Sequence, residues 1–296
     1  MLLRMLVNQF LRQTAQRKIF EEVSKRNSSQ STRDDAVNQE ECSADPEPLP
    51  PCDVAFVFAL GVESGGLVDL LKDTVTTRCP TFLEHTGQLS GRRIVIAESG
   101  VGSKKAVKAT EDVITIHKPQ WVVSAGFAGA LNEELARGHI LMADHVISEG
   151  GESLEFGLKM DPKVVESTKG MHVGTLLTVD RIIRTTKEKL ELGERFGAVA
   201  CDMETMAIAD ACRCADTRFL SVRVISDALN DELPVELEKL MNQKSIAGKI
   251  GAVTGAVFQR PSVIKEMWNL KEDAIKASDR LAKFLTGVVP QLVSEA

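Results

Sequence analysis

From residue 52 onward, short apolar runs alternate with longer stretches in which apolar side chains return every three or four positions. The runs cover 54–60, 93–97, 121–125, 140–148, 172–178, 198–201 and 219–226, and read as strands. The stretches 103–117, 181–196 and 203–215 read as helices. Strands that alternate with helices predict an α/β fold whose sheet, mostly parallel or mixed, is covered on both faces. Such sheets bind ligands at the carboxyl ends of their strands. Pro261 and Ser262 open a further apolar pattern running to Val289, either one long helix or two shorter ones.

The pattern before residue 52 is different. Over 1–26, Leu2, Leu3, Leu6, Val7, Phe10, Leu11, Ile19, Phe20 and Val23 recur at near-helical spacing, with Arg4, Arg12, Arg17 and Lys18 between them. The expectation is an amphipathic helix that packs on the body or on another subunit. Weak contact with an anionic membrane or a partner stays open, as does a cleaved targeting peptide. Residues 27–51 are polar and acidic and end in a proline-rich run, so they read as a linker. The catalytic domain is expected over 52–296, with a C-terminal helical extension.

Composition narrows the functional classes. A net charge of −6, with no dense basic run beyond residue 26, argues against a nucleic-acid surface. The six cysteines show neither a paired framework nor zinc-ligand spacing, and read as buried reduced thiols. The five histidines are scattered, so neither a metal nor another cofactor is expected. No run approaches the roughly 20 apolar residues of a membrane span, and a cytoplasmic address is the default expectation.

Candidate chemistry collects where the apolar runs end. Glu63 follows the first run, Glu204 the sixth and Asp227 the seventh, while Asp202 suits an N-cap for the helix expected near Met203. Two glycine-containing segments follow other runs: 99–103, with Gly100 and Gly102, and 125–130, with Gly126 and Gly129. Glycine lets a ligand approach the backbone, and a helix N-terminus attracts an oxyanion. Tight strand-to-helix turns explain the same glycines. The third glycine and the distal acid of a dinucleotide site are missing.

The run Cys201-Asp202-Met203-Glu204-Thr205-Met206-Ala207-Ile208-Ala209 and the later Val222-Arg223-Val224-Ile225-Ser226-Asp227 resemble the nucleoside phosphorylase/nucleosidase superfamily. Within it they are most similar to methylthioadenosine/S-adenosylhomocysteine nucleosidases. The resemblance spans about 52–257 and includes the segment 58–63, both glycine segments and 174–180. It implies a three-layer α/β/α sandwich around a mixed, partly barrel-like sheet, a homodimer, and a small-molecule purine nucleoside as the ligand. Position by position, it implies that Glu63 activates water and that Asp227 protonates N7 of the departing purine. Glu204 would hold the ribose hydroxyls with Met203 beneath the sugar, while Arg223 and Ser226 would steady the water site and Asp227. Phe127, Ala128 and Gly129, with Ile182 and Ile183, would line the nucleoside pocket.

Expelling a purine needs a proton on its poor leaving group, so Asp227 must keep a proton through burial or receive one by relay. Glu63 must stay ionised, helped by Arg223. Two departures limit what the resemblance implies. Ser124 stands where phosphorylases of the superfamily commonly carry a phosphate-binding arginine, which favours water over phosphate. Yet Phe127 replaces the serine usual in nucleosidases, and Ile182 replaces a base-stacking phenylalanine. A phosphate-using purine nucleoside phosphorylase and a nucleoside-binding protein without turnover therefore remain the alternatives.

Overall fold

The computed structural model describes residues 51–156, 168–233 and 263–294. The expected N-terminal helix (1–26) and all but the last residue of the expected linker lie outside the described residues.

Ten strands form one mixed sheet in the order β10-β6-β8-β9-β5-β1-β4-β3-β2, with β7 attached to β6. These are β1 (Val54–Phe58), β2 (Lys72–Arg78), β3 (Leu83–Leu89), β4 (Arg92–Glu98), β5 (Trp121–Ala130), β6 (Ile140–Ser148), β7 (Ser153–Glu155), β8 (Met171–Thr178), β9 (Ala200–Asp202) and β10 (Arg218–Asp227). A further pairing of β10 with β5 closes β5, β9, β8, β6 and β10 into a five-stranded barrel. The described helices are α1 (Gly61–Val68), α2 (Ser103–His117), α3 (Thr186–Phe196), α4 (Thr205–Cys214) and α5 (Val263–Ser294).

The layering follows from side-chain alternation in β1. Successive strand residues face opposite sides. Val54, Phe56 and Phe58 enter a core with Leu67 of α1 and Ala277, Leu281 and Leu285 of α5. Ala55 and Val57 enter another with Ala106, Ala109 and Val113 of α2 and Ile208 and Cys212 of α4. Both faces of the strand are buried, which is why it reads as an unbroken apolar run and why helices cover the sheet on each side. A third core, including Ala128, Leu141, Leu176, Ala200 and Ile225, belongs to the barrel strands.

All seven expected strands are present, six of them with shifted ends. The largest shift is in β5, which continues through the glycine segment 125–130 instead of stopping before it. Helix α3 begins at Thr186, five residues later than expected, because the Thr185 side chain caps it by accepting from the Glu188 amide. The C-terminal pattern forms one helix with Pro290 inside it. Strands β2 and β3 and helix α1 had no clear signal. β2 is exposed along its whole length and carries little apolar sequence, so the sheet edge is polar. Of the cysteines, Cys52, Cys201 and Cys212 are buried as expected, whereas Cys79 is half-buried and Cys214 exposed. No described helix is long and apolar enough to cross a membrane.

Candidate active site

β5 changes neighbours in mid-course. On one edge it pairs in parallel with β1 as far as Val57 with Ser124, and then in antiparallel with β9 from Gly129 with Cys201. Between these pairings the edge from Ala125 to Ala128 has no strand beside it. A carboxylate occupies the opening. Glu63 Oε1 accepts from the Phe127 amide at 3.0 Å, and Oε2 accepts from the amides of Leu60 at 2.8 Å and Ala59 at 3.1 Å. Glu63 thus caps its own helix while tying it to β5. The acid is 7% exposed, and burial pushes its carboxyl above the ordinary range, against the pull of the Phe127 amide, the Arg223 charge and the other two amides.

This explains why glycine stands at 126. A Cβ there would lie 3.0 Å from Glu63 Oε1, and a Cβ at Gly129 would lie 2.9 Å from Asp227 Oδ2. The two glycines are places in a strand where carboxylates press against backbone, rather than a loop around a ligand. They lie three positions apart, or about 10 Å of extended chain.

Asp227 ends β10 beside Gly129 and is 7% exposed. Its Oδ1 lies 2.7 Å from Ser226 Oγ, which is also 3.2 Å from the Ala128 carbonyl. Its Oδ2 accepts from Lys189 Nζ at 2.6 Å. Lys189, on α3, is 0% exposed. Sequence reasoning missed it, although a lysine three residues before Leu192 on the helix's buried side was the available signal. Asp227 is buried as expected, and it has in addition a buried ammonium partner.

Glu204, 9% exposed at the start of α4, accepts at Oε1 from the Gly102 amide at 2.8 Å. The glycine segment 99–103 does present a helix N-terminus to an oxyanion, and that oxyanion is Glu204. Burial, with the negative charges of Asp202 and Glu63, pushes the Glu204 carboxyl up to about 8, against the Gly102 amide and Arg223. Met203 is partly buried against Leu131, Leu177, Val179 and Ile183, and its carbonyl accepts from Ser103 Oγ at 3.3 Å. Ile183 is buried within that same core, while Ile182 is half-buried.

Arg223, 3% exposed, makes no hydrogen bond to Glu63. It donates to Asp202 Oδ2 at 2.8 Å, Ser124 Oγ at 2.7 Å and Thr205 Oγ1 at 2.6 Å. Its help to Glu63 is through space. The N-cap of α4 is Glu204, not Asp202 as expected, because the helix starts at Thr205; Asp202 Oδ2 instead accepts from the Thr205 amide at 2.9 Å and neutralises the arginine. Among the described residues no group of His, Cys, Asp and Glu is arranged to hold a metal. A cavity of about 1150 Å³ borders this region and is lined by Ser103, Thr178, Asp180 and Met206, but none of the three carboxylates lines it.

The arrangement is thus three separately held carboxylates, two pressed against β5 and the third, Glu204, held at Gly102 within reach of the Glu63 charge. One is held by amides, one by an amide and ringed by like charge, and one by an ammonium. Known proteins are similar to this chain in sequence or in fold. A 5′-methylthioadenosine/S-adenosylhomocysteine nucleosidase of Staphylococcus aureus is 27% identical over 205 residues, covering 61% of this chain and 90% of its own. The structure of a nucleosidase of that name from S. pneumoniae, with a transition-state inhibitor, superposes with a TM-score of 0.60 at 18% identity and covers 80% of this chain and 98% of its own. The native futalosine hydrolase of Helicobacter pylori superposes with a TM-score of 0.59 at 17% identity, covering 83% and 98%. A family model described as the phosphorylase superfamily matches residues 53–257, well over half of the 296, and the chain belongs to that superfamily.

Proposed function

We propose that this chain hydrolyses the N-glycosidic bond of a purine nucleoside of the 5′-methylthioadenosine or S-adenosylhomocysteine class. The observation that carries the reading is that Glu63 and Asp227 press against Gly126 and Gly129 of β5, while Glu204, within reach of the Glu63 charge, is held at the Gly102 amide, each in a different electrostatic setting. Glu63 takes a proton from the attacking water, and its buried carboxyl favours holding that proton. Glu204 accepts from the ribose hydroxyls and places negative charge near the oxocarbenium-like sugar. Asp227 passes a proton to N7 of the purine, and Ser226 and Lys189 fix its two oxygens.

Water is favoured over phosphate as the nucleophile because of Ser124 and Arg223. A phosphate dianion needs a cation, but Ser124 is fully buried and the Arg223 charge is already paired with Asp202. The nucleosidase names of the S. aureus and S. pneumoniae proteins support the same choice. The futalosine hydrolase likeness, with Ile182 where an aromatic would stack, keeps other purine ribosides within the substrate class. We propose a homodimer as the working assembly, readable by light scattering. Incubating the purified chain with each nucleoside, with and without phosphate, tests the reading: free purine and free sugar should appear in both conditions. Release only with phosphate makes it a phosphorylase, and tight binding without release makes it a nucleoside-binding protein.

A further inference from the structure

Lys189 has entered so far only as a contact of Asp227, yet it is the most enclosed charged group described. Its Nζ donates to Asp227 Oδ2 at 2.6 Å, the Ala228 carbonyl at 2.8 Å and the Asp231 carbonyl at 3.0 Å. An ammonium has three protons, so all are used. The Asp231 carboxylate is turned elsewhere, accepting from Arg137 and from the Ala228 amide. Asp227 is therefore the one carboxylate that Lys189 Nζ bonds. The two carbonyls hold the ammonium from the side of the turn after β10, so lysine and carboxylate are fixed relative to each other. With Oδ2 engaged, Oδ1 is the oxygen left to exchange a proton with a ligand, and Ser226 Oγ sits 2.7 Å from it.

We infer that Lys189 is the positioning residue of the leaving-group acid, a role that rests on the proposed hydrolysis. In the step concerned, the Oδ1–H bond of Asp227 breaks and an N7–H bond forms, while the C1′–N9 electron pair stays with the purine. The electron pair left on Oδ1 spreads over the carboxylate, whose other oxygen meets the ammonium. Lys189 thus stabilises the anion that Asp227 becomes, and aims the oxygen that does the work. The water proton taken by Glu63 leaves to solvent, solvent reprotonates Asp227, and the cycle balances.

The test compares two leaving groups in the intact chain. A purine nucleoside needs protonation to depart, whereas the nitrophenolate of a 4-nitrophenyl riboside departs as the anion. Lys189→Met should lower kcat about 100-fold on the nucleoside with KM within about twofold, a fall in the range of general-acid effects. On the nitrophenyl riboside the fall should be at most about threefold. In an Asp227→Asn background, Lys189→Met should cost nothing more on the nucleoside. Lys189→Gln serves the same comparison if the methionine variant does not fold. Equal losses on both substrates, or losses that add to those of Asp227→Asn, would reduce Lys189 to a packing role and overturn the inference. A wild-type chain that splits neither substrate contradicts the hydrolysis itself, and this role with it.

Discussion

Glu63 and Asp227 are both acids pressed against glycines of the same strand, and they are held in opposite ways. Three neutral amides bond Glu63, and no cation among the described residues does. Asp227 has an ammonium on one oxygen and a hydroxyl beside the other. Amides can hold a desolvated carboxylate in place without cancelling its charge, so Glu63 gains by accepting a proton. An ammonium offsets the charge of Asp227, so two equally buried carboxylates are told apart here by their partners, not by their depth of burial.

Removing the charge at the amide-held site should have the largest effect. Glu63→Gln brings an amide N–H to face backbone donors, and base release from the nucleoside should fall about 1000-fold or more, read by chromatography of free purine. A loss below tenfold would break the contrast, because Glu63 would then be only a helix cap. Filling the glycine vacancies comes next. Gly126→Ala and Gly129→Ala place a methyl 3.0 Å from Glu63 Oε1 and 2.9 Å from Asp227 Oδ2, respectively. Each should cost about tenfold or more in kcat, and if only one does, the carboxylate beside the tolerant glycine is not where the chemistry needs it.

Glu204 supplies a pH test. Its carboxyl is raised from 4.5 to about 8, so between those values the folded chain holds a proton that the unfolded chain lacks. Stability should fall as pH rises through that window, and Glu204→Gln should flatten the slope of thermal midpoint against pH. The charged form accepts from both ribose hydroxyls, so KM should rise as pH drops below about 8. A slope unchanged in the variant would remove Glu204 from this account. The smallest effect is expected at Ser278, whose Oγ accepts from the Gly66 amide and donates to the Glu63 carbonyl, fastening the Glu63 helix to α5. Ser278→Ala should cost about 1 kcal/mol in denaturant unfolding, with chemistry nearly intact.

The sheet was legible because its central strands are buried on both faces and so read as apolar runs, as β1 does. Polar edge strands such as β2 carry no such signal, since they stand exposed among the described residues. The three carboxylates were legible from their place after apolar runs and from the motif around Met203, Glu204, Ser226 and Asp227. Their partners were less so. Lys189 sits 38 residues before Asp227, and only the packing of α3 against the end of β10 brings them together. The glycines at 126 and 129 were noticed, but a loop is the natural reading of such a sequence; seeing that they make room for side chains requires knowing what lies across the strand. Likewise, the motif marks Arg223 as a site candidate, but its commitment to Asp202 depends on a contact between β10 and the end of β9.

The central claim is that water, activated at Glu63, attacks the sugar while the purine leaves protonated. Turnover of 5′-methylthioadenosine in ¹⁸O-labelled water, with phosphate also present, reads this directly by mass spectrometry of the sugar product. Free methylthioribose carrying one ¹⁸O is the predicted result. An unlabelled sugar 1-phosphate would contradict it.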